Sequence, residues 1–140
     1  MQVREVMTSD VQIASPNDSV CDAALLMAQE DCGVLPVGES DRLLGMVTDR
    51  DIVVRCLADG RDPTTCRISE VMTPEVKYCF EDEDLDHVAD NMAALQVRRL
   101  PVMNRDKQLV GIVALGDIAT GYQSAKAGEA LSGVSEPAHG

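Results

Sequence analysis

Apolar residues recur at helical spacing twice along the chain. Val20, Ala23, Ala24 and Met27 stand at i, i+3, i+4 and i+7, and Leu85, Val88, Ala89 and Met92 repeat that spacing. A period near 3.6 puts each set on one face of a helix, so the pattern predicts two amphipathic helices with buried stripes. Ser19 and Asp84 precede them and are N-cap types. Short apolar runs surround each helix. Val11–Ala14 lies before the first and Val76–Cys79 before the second, and both predict strands. After the helices come Val34–Val37 with Leu43–Val47, and Leu100–Met103 with Leu109–Val113. Polar segments, Gly38–Arg42 and Asn104–Gln108, join each pair and predict hairpins. Arg4–Met7 and Ser69–Met72 read as lead-in turns, and closing helices begin near Asp49 and Leu115.

The two halves are copies. At a shift of 65, eleven identities fall in residues 5–37, including Glu5-Val6-Met7-Thr8 on Glu70-Val71-Met72-Thr73 and Leu35-Pro36-Val37 on Leu100-Pro101-Val102. At a shift of 66, Leu43, Gly45, Val47, Asp51 and Ile52 fall on Leu109, Gly111, Val113, Asp117 and Ile118. The register slips by one residue between Val37 and Leu43, which puts the inserted residue in a hairpin turn, where insertions are tolerated. The expected organisation is repeat 1 over residues 1–60, a linker at 61–66, repeat 2 over 67–122, and a tail at 123–140. The last nine residues, rich in Ser, Gly, Ala and Pro, read as loosely attached. The fold class is mixed α/β (α+β): tandem βαββα units packed with pseudo-two-fold symmetry.

Each unit closes on a strand that turns directly into a helix: Gly45-Met46-Val47-Thr48-Asp49-Arg50-Asp51 and Gly111-Ile112-Val113-Ala114-Leu115-Gly116-Asp117. Two readings of Thr48 and Asp51 are open. They form an N-cap pattern, with the hydroxyl bonding an early helical N–H. They also set a hydroxyl and a carboxylate beside the free N–H groups of a helix start, where a small ligand could be met. Asp117 tilts the weighing towards a ligand, because its cap position is Ala114, a poor N-cap.

Composition narrows the function classes. Hydrophobic residues make up 45% of the 140, enough for a core, but aromatics only 2%, so aliphatic side chains and seven Met must fill it. A formal net charge of −12 disfavours nucleic acid and anionic membranes as partners, and any phosphate would need a local basic cluster. No apolar run reaches transmembrane length, and the first residues lack a signal-peptide core. The expected location is cytoplasmic. Five Cys without C-x-x-C spacing and two His argue against a metal site. A reduced core thiol is expected at Cys21, with a Cys21–Cys32 contact or a redox role left open. The run Glu81-Asp82-Glu83-Asp84 reads as a solvated helix entry at the positive dipole end. No nucleophile–base pair, metal triad or phosphate-cradling Gly loop is present, so no catalytic residue is assigned and no enzyme is expected.

The tandem unit, its lead-in Val-Met-Thr, its central Leu-Pro-Val and its closing Gly-x-x-Thr-x-x-Asp resemble the CBS domain, here as a CBS pair or Bateman module over about residues 1–122. The chain is also similar to stand-alone bacterial CBS proteins of the hypoxic-response type. The resemblance implies a regulatory sensor that binds AMP, ADP, ATP or S-adenosylmethionine between the repeats and forms a homodimer. It implies that Asp51 and Asp117 hold ribose hydroxyls, that Thr48 contacts phosphate or ribose, and that Arg50 meets phosphate. Val11, Ile13, Leu35 and Pro36 stand at strand edges suited to adenine. Arg98 and Arg99 match Gly33 and Val34 of the first copy, and are either phosphate contacts or exposed strand-edge charges. Unequal clefts are expected, with the fuller polar set at Thr48, Arg50 and Asp51. The target protein is separate and unnamed. The alternative is a dimerisation or protein-interaction module that works without ligand.

Overall fold

A computed structural model describes residues 1–74 and 76–121. Its elements run as a 3₁₀ turn Val3–Glu5, α1 Val20–Glu30, β1 Val34–Glu39, β2 Arg42–Thr48 and α2 Asp49–Ile52, which continues as a π-helical turn Val53–Leu57. A second 3₁₀ turn Ile68–Glu70 follows, then β3 Thr73–Pro74, β4 Cys79–Phe80, α3 Leu85–Leu95, β5 Arg99–Met103 and β6 Leu109–Ala114. Residues 115–121 are helical. The tail from residue 122 lies outside the described residues.

Capping fixes both long helices. The Ser19 hydroxyl accepts from the Asp22 N–H at 3.1 Å, and the Ser19 N–H donates back to the Asp22 carboxylate at 3.2 Å. Asp84 accepts from the Asp86 N–H at 3.2 Å. Asp31 and Gln96 end the helices in left-handed conformations. Six of the eight stripe residues are buried. Ala89 is half-buried, and Ala24 is exposed. The inward stripe of α1 is therefore the narrower set Val20, Ala23 and Met27, and Ala24 turns outward beside the exposed Leu25.

Two sheets form, β1-β2-β3 and β4-β5-β6. In each, an antiparallel hairpin is the centre: Leu35 pairs with Val47, and Leu100 with Val113. The first hairpin turns on Ser40 and Asp41, both at positive φ, so its strands extend further into the polar segment than the apolar pattern suggests. The second keeps a longer turn, in which the Asn104 carboxamide oxygen accepts from the N–H groups of Asp106 and Gln108. The extra residue of the second copy sits here. The strand expected at Val11–Ala14 reduces to a single bridge, Ala14 to Val37, and that at Val76–Cys79 to β4, which pairs parallel to β5. These edge segments have only one ladder partner, so little of their backbone is held in register.

The lead-in segments are exchanged. Thr73–Pro74 pairs with Met46 and Gly45 of the first sheet, while Thr8 pairs with Ile112 of the second. Ile68 and Val71 are fully buried in the first core with Val20, Leu35 and Val47; Val3 is fully buried in the second with Leu85, Met92 and Val113. Glycine is required where the exchanged segments cross. A Cβ on Gly45 would lie 2.6 Å from the Thr73 carbonyl oxygen, and one on Gly111 would lie 2.6 Å from that of Thr8. The acidic run takes part in the exchange. Glu83 and Glu81 carbonyls accept from the N–H groups of Val3 and Arg4, and the Arg4 guanidinium lies 3.2 Å from the Glu81 carboxylate. Arg105 clasps Asp82 through two bonds of 2.9 and 2.8 Å while lying 4.0 Å over the Phe80 ring.

Candidate ligand cleft between the halves

The exchange brings the first unit's lead-in to the end of β6, and a cavity of about 260 Å³ opens there. Val11, Val34, Leu35 and Ile112 supply apolar walls. Asp117 enters from the closing helical segment and Arg99 from the start of β5. Of the residues expected to bind a ligand, Val11, Leu35, Arg99 and Asp117 therefore meet in one place. A second, more open space of about 450 Å³ adjoins it through Arg99 and Cys32, and is bordered by Asp31 and Asp49.

Asp117 and Asp51 occupy equivalent positions but spend their oxygens differently. Asp117 Oδ2 accepts from the Ala114 N–H at 3.0 Å. The carboxylate thus supplies half of a capping box without needing a hydroxyl at 114, which removes the argument that an Asp beside a poor N-cap must serve something outside the helix. Its other oxygen has no partner among the described residues. Asp51 Oδ2 accepts from the Thr48 N–H at 3.0 Å, and Thr48 Oγ1 accepts from the Asp51 N–H at 3.0 Å. The remaining Asp51 oxygen stands 3.8 Å from Arg55 Nε, and Arg55 Nη1 reaches on to the carbonyls of Val71 at 3.2 Å and Met72 at 3.4 Å. The first copy's Thr and Asp form a complete capping box tied by arginine to the exchanged turn.

The other expected residues lie apart from this cavity. Arg50 and Arg98 are exposed and do not line it. Pro36 is buried in β1 opposite Met46, and its carbonyl accepts from the Ala14 N–H. Ile13 is 38% exposed and lies beside Gly38, where a Cβ would meet its side chain at 3.4 Å. Gly33, which matches Arg98, sits under the Asp49 carboxylate; a Cβ there would be 2.9 Å from its oxygen. Thr48 and Asp51 do not line this cavity either. Sequence reasoning missed Asp10, Glu30 and Cys32 at the cavity. Only the exchange of lead-in segments brings residue 10 to the second unit, and no local pattern records that.

The thiols are all free: Cys56, Cys66 and Cys79 are buried, Cys21 and Cys32 half-buried. Burial pushes the Cys79 thiol up to about 12, helped by the nearby Glu83 charge. Burial, then a hydrogen bond with Cys56, raises Cys66. His87 is exposed on α3, its Nε2 3.3 Å from the Asn91 amide. Among the described residues no three His, Cys, Asp or Glu are grouped to hold a metal, and no helix is long and apolar enough to cross a membrane.

Comparison with known proteins agrees with this architecture. The CBS domain family matches residues 3–57 and 68–123. The CBS domain-containing protein YhcV of Bacillus subtilis is 44% identical over 134 residues, covering 95% of this chain and 94% of the relative. Hypoxic response protein 1 of Mycobacterium tuberculosis is 38% identical over 117 residues, covering 83% and 81%. A solved structure of Hypoxic Response Protein I, with two coordinated zinc ions, matches with a TM-score of 0.78 and 37% identity over 86% of this chain and 98% of that one. The CBS pair of MJ0100, in complex with 5′-methylthioadenosine and S-adenosylmethionine, matches at 0.77 with 28% identity, over 89% and 98% of the two chains. CBSX2 in complex with AMP matches at 0.77 with 25% identity over the same shares. With both repeats matched by the family and the relatives aligned along most of their length, the chain belongs to the CBS domain family, as a tandem pair.

Proposed function

We propose that this CBS pair is a regulatory sensor that binds an adenosyl ligand in the cleft between its halves and performs no chemistry on it. The observation that carries this reading is the Asp117 oxygen left unpartnered at an apolar cavity. A carboxylate there accepts from vicinal ribose hydroxyls, a charge-assisted pair of bonds. Val11, Leu35 and Ile112 are the walls for adenine, and Arg99 reaches the 5′ side. Complexes of relatives with AMP and with S-adenosylmethionine support the ligand class. Thr48 and Asp51 belong to helix capping in this reading, and Arg50 and Arg98 to the surface. Titration calorimetry with adenosine, AMP and S-adenosylmethionine tests it. At least one binds to the wild type, and Asp117→Ala weakens that binding by about 1.5–3 kcal/mol, the range for hydrogen bonds to a charged group. No binding by any of the three, or equal affinity in the variant, overturns the reading.

A homodimer is part of the proposal. Leu25 on α1 and Val53, Val54 and Leu57 beyond α2 are between 46% and 58% exposed, and α1 contacts α2. These four residues form the face on which a second copy packs. The same face carries the alternative, a module that acts by association alone. Ligand binding distinguishes the two.

A further inference from the structure

The cleft's charge speaks to which adenosyl ligand it takes. Asp10 and Glu30 line the same cavity as Asp117, so three acidic residues border it against a single basic one, Arg99. Neither Asp10 nor Glu30 has an ion-pair partner among the described residues, so their charges are not locally cancelled. Arg99 forms no ion pair there either, and its other side borders Asp31 and Asp49, which draw on its field from the adjoining space. Cys32 is the remaining titratable lining group, a free thiol. The whole chain adds a net charge of −12. Resting on the sensor reading above, we infer that the cleft selects adenosyl ligands that are neutral or cationic beyond the ribose, such as a thioether or sulfonium nucleoside, and rejects nucleoside polyphosphates. A sulfonium with its amino-acid arm brings net positive charge to an acidic cleft, where Coulomb attraction adds to ribose and adenine recognition. A triphosphate brings several negative charges to a cleft with one arginine and no helix-start hydroxyl, since Ala114 stands where the first copy has Thr48. Asp10 and Glu30 are then specificity-determining residues. Both are exposed, so neutralising them does not disturb the core.

Calorimetry at low ionic strength, without divalent cations, tests this with S-adenosylmethionine, 5′-methylthioadenosine, AMP and ATP on the wild type and on the double variant Asp10→Asn, Glu30→Gln. In the wild type, affinity falls in that order. In the double variant, ATP binding improves roughly tenfold, as expected for removing two like charges at cleft distances. S-adenosylmethionine weakens several-fold. The neutral thioether nucleoside is unchanged and serves as the control for an intact fold. Salt narrows these differences in the wild type. Wild type that binds ATP more tightly than 5′-methylthioadenosine overturns the selectivity and leaves the sensor reading standing. So does a double variant with an unaltered ratio of ATP to S-adenosylmethionine affinity. Failure of all four ligands overturns both.

Discussion

Asp51 and Asp117 share a position in the repeat and a bond to the N–H three residues earlier, yet the second oxygen of Asp51 faces Arg55 while that of Asp117 has no partner among the described residues. Their alanine variants should therefore separate. Asp51→Ala removes one arm of a full capping box and the contact to Arg55, and should lower unfolding stability by about 1 kcal/mol, read by urea denaturation. Asp117→Ala should cost less stability and carry the loss of ligand affinity. The cysteines give a second test at this scale. Native alkylation should label Cys32 and Cys21 and spare Cys56, Cys66 and Cys79, because burial removes access and, at Cys66 and Cys79, disfavours the thiolate. Cys32 lines the cleft, so a bound adenosyl ligand should slow its labelling while leaving Cys21 unchanged; mass spectrometry reads both sites. Asp82 supplies a pH dependence. Its paired bonds from Arg105 hold the carboxyl below the usual range, so it contributes stability that is present above the unfolded pKa and lost as pH falls through the lower folded one. Arg105→Ala should flatten that part of the acid limb in thermal melts taken between about pH 5 and pH 2.

At the scale of elements, the crossing of exchanged segments makes a sharper demand than any helix. Gly45→Ala and Gly111→Ala each drive a methyl into a backbone carbonyl, and each should lose about 1–3 kcal/mol of stability in denaturant melts. Both glycines stood out in the sequence as openings of the closing motif, and the helices, hairpins and duplication were equally legible, because helical period, turn chemistry and a shifted self-match are local or pairwise signals. The partner of each lead-in was not. A self-match states that residues 5–8 correspond to 70–73; it is silent on which sheet either completes, and both pairings preserve the same pattern. That silence hid the membership of the cleft as well. As strand edges suited to adenine, Val11 and Leu35 carry no sign of which Asp they face; the exchange sets them beside Asp117. Ala24 shows the opposite limit, since a residue on the edge of an apolar stripe is assigned inward by spacing alone and faces outward here.

For the whole molecule, the outward apolar face and the duplicated architecture set what can be measured in solution. The proposed homodimer should sediment at twice the 15.0 kDa of one chain at micromolar concentration, and Leu25→Asp with Leu57→Asp should shift it to the monomer while the circular dichroism of the fold is retained. The traded lead-in segments have a kinetic consequence. Val3 completes a core whose other members begin at Cys79 and end at Ile118, so the second half cannot finish until the chain's first residues have travelled to it. Ile68 and Val71 impose the mirror condition on the first half. Contacts this remote in sequence carry loop-closure entropy that is met before any burial compensates, which slows folding relative to a chain of independent repeats. Two similar repeats would ordinarily melt as two units. Here neither nucleus matures alone, and the pair should fold and unfold as one slow cooperative event.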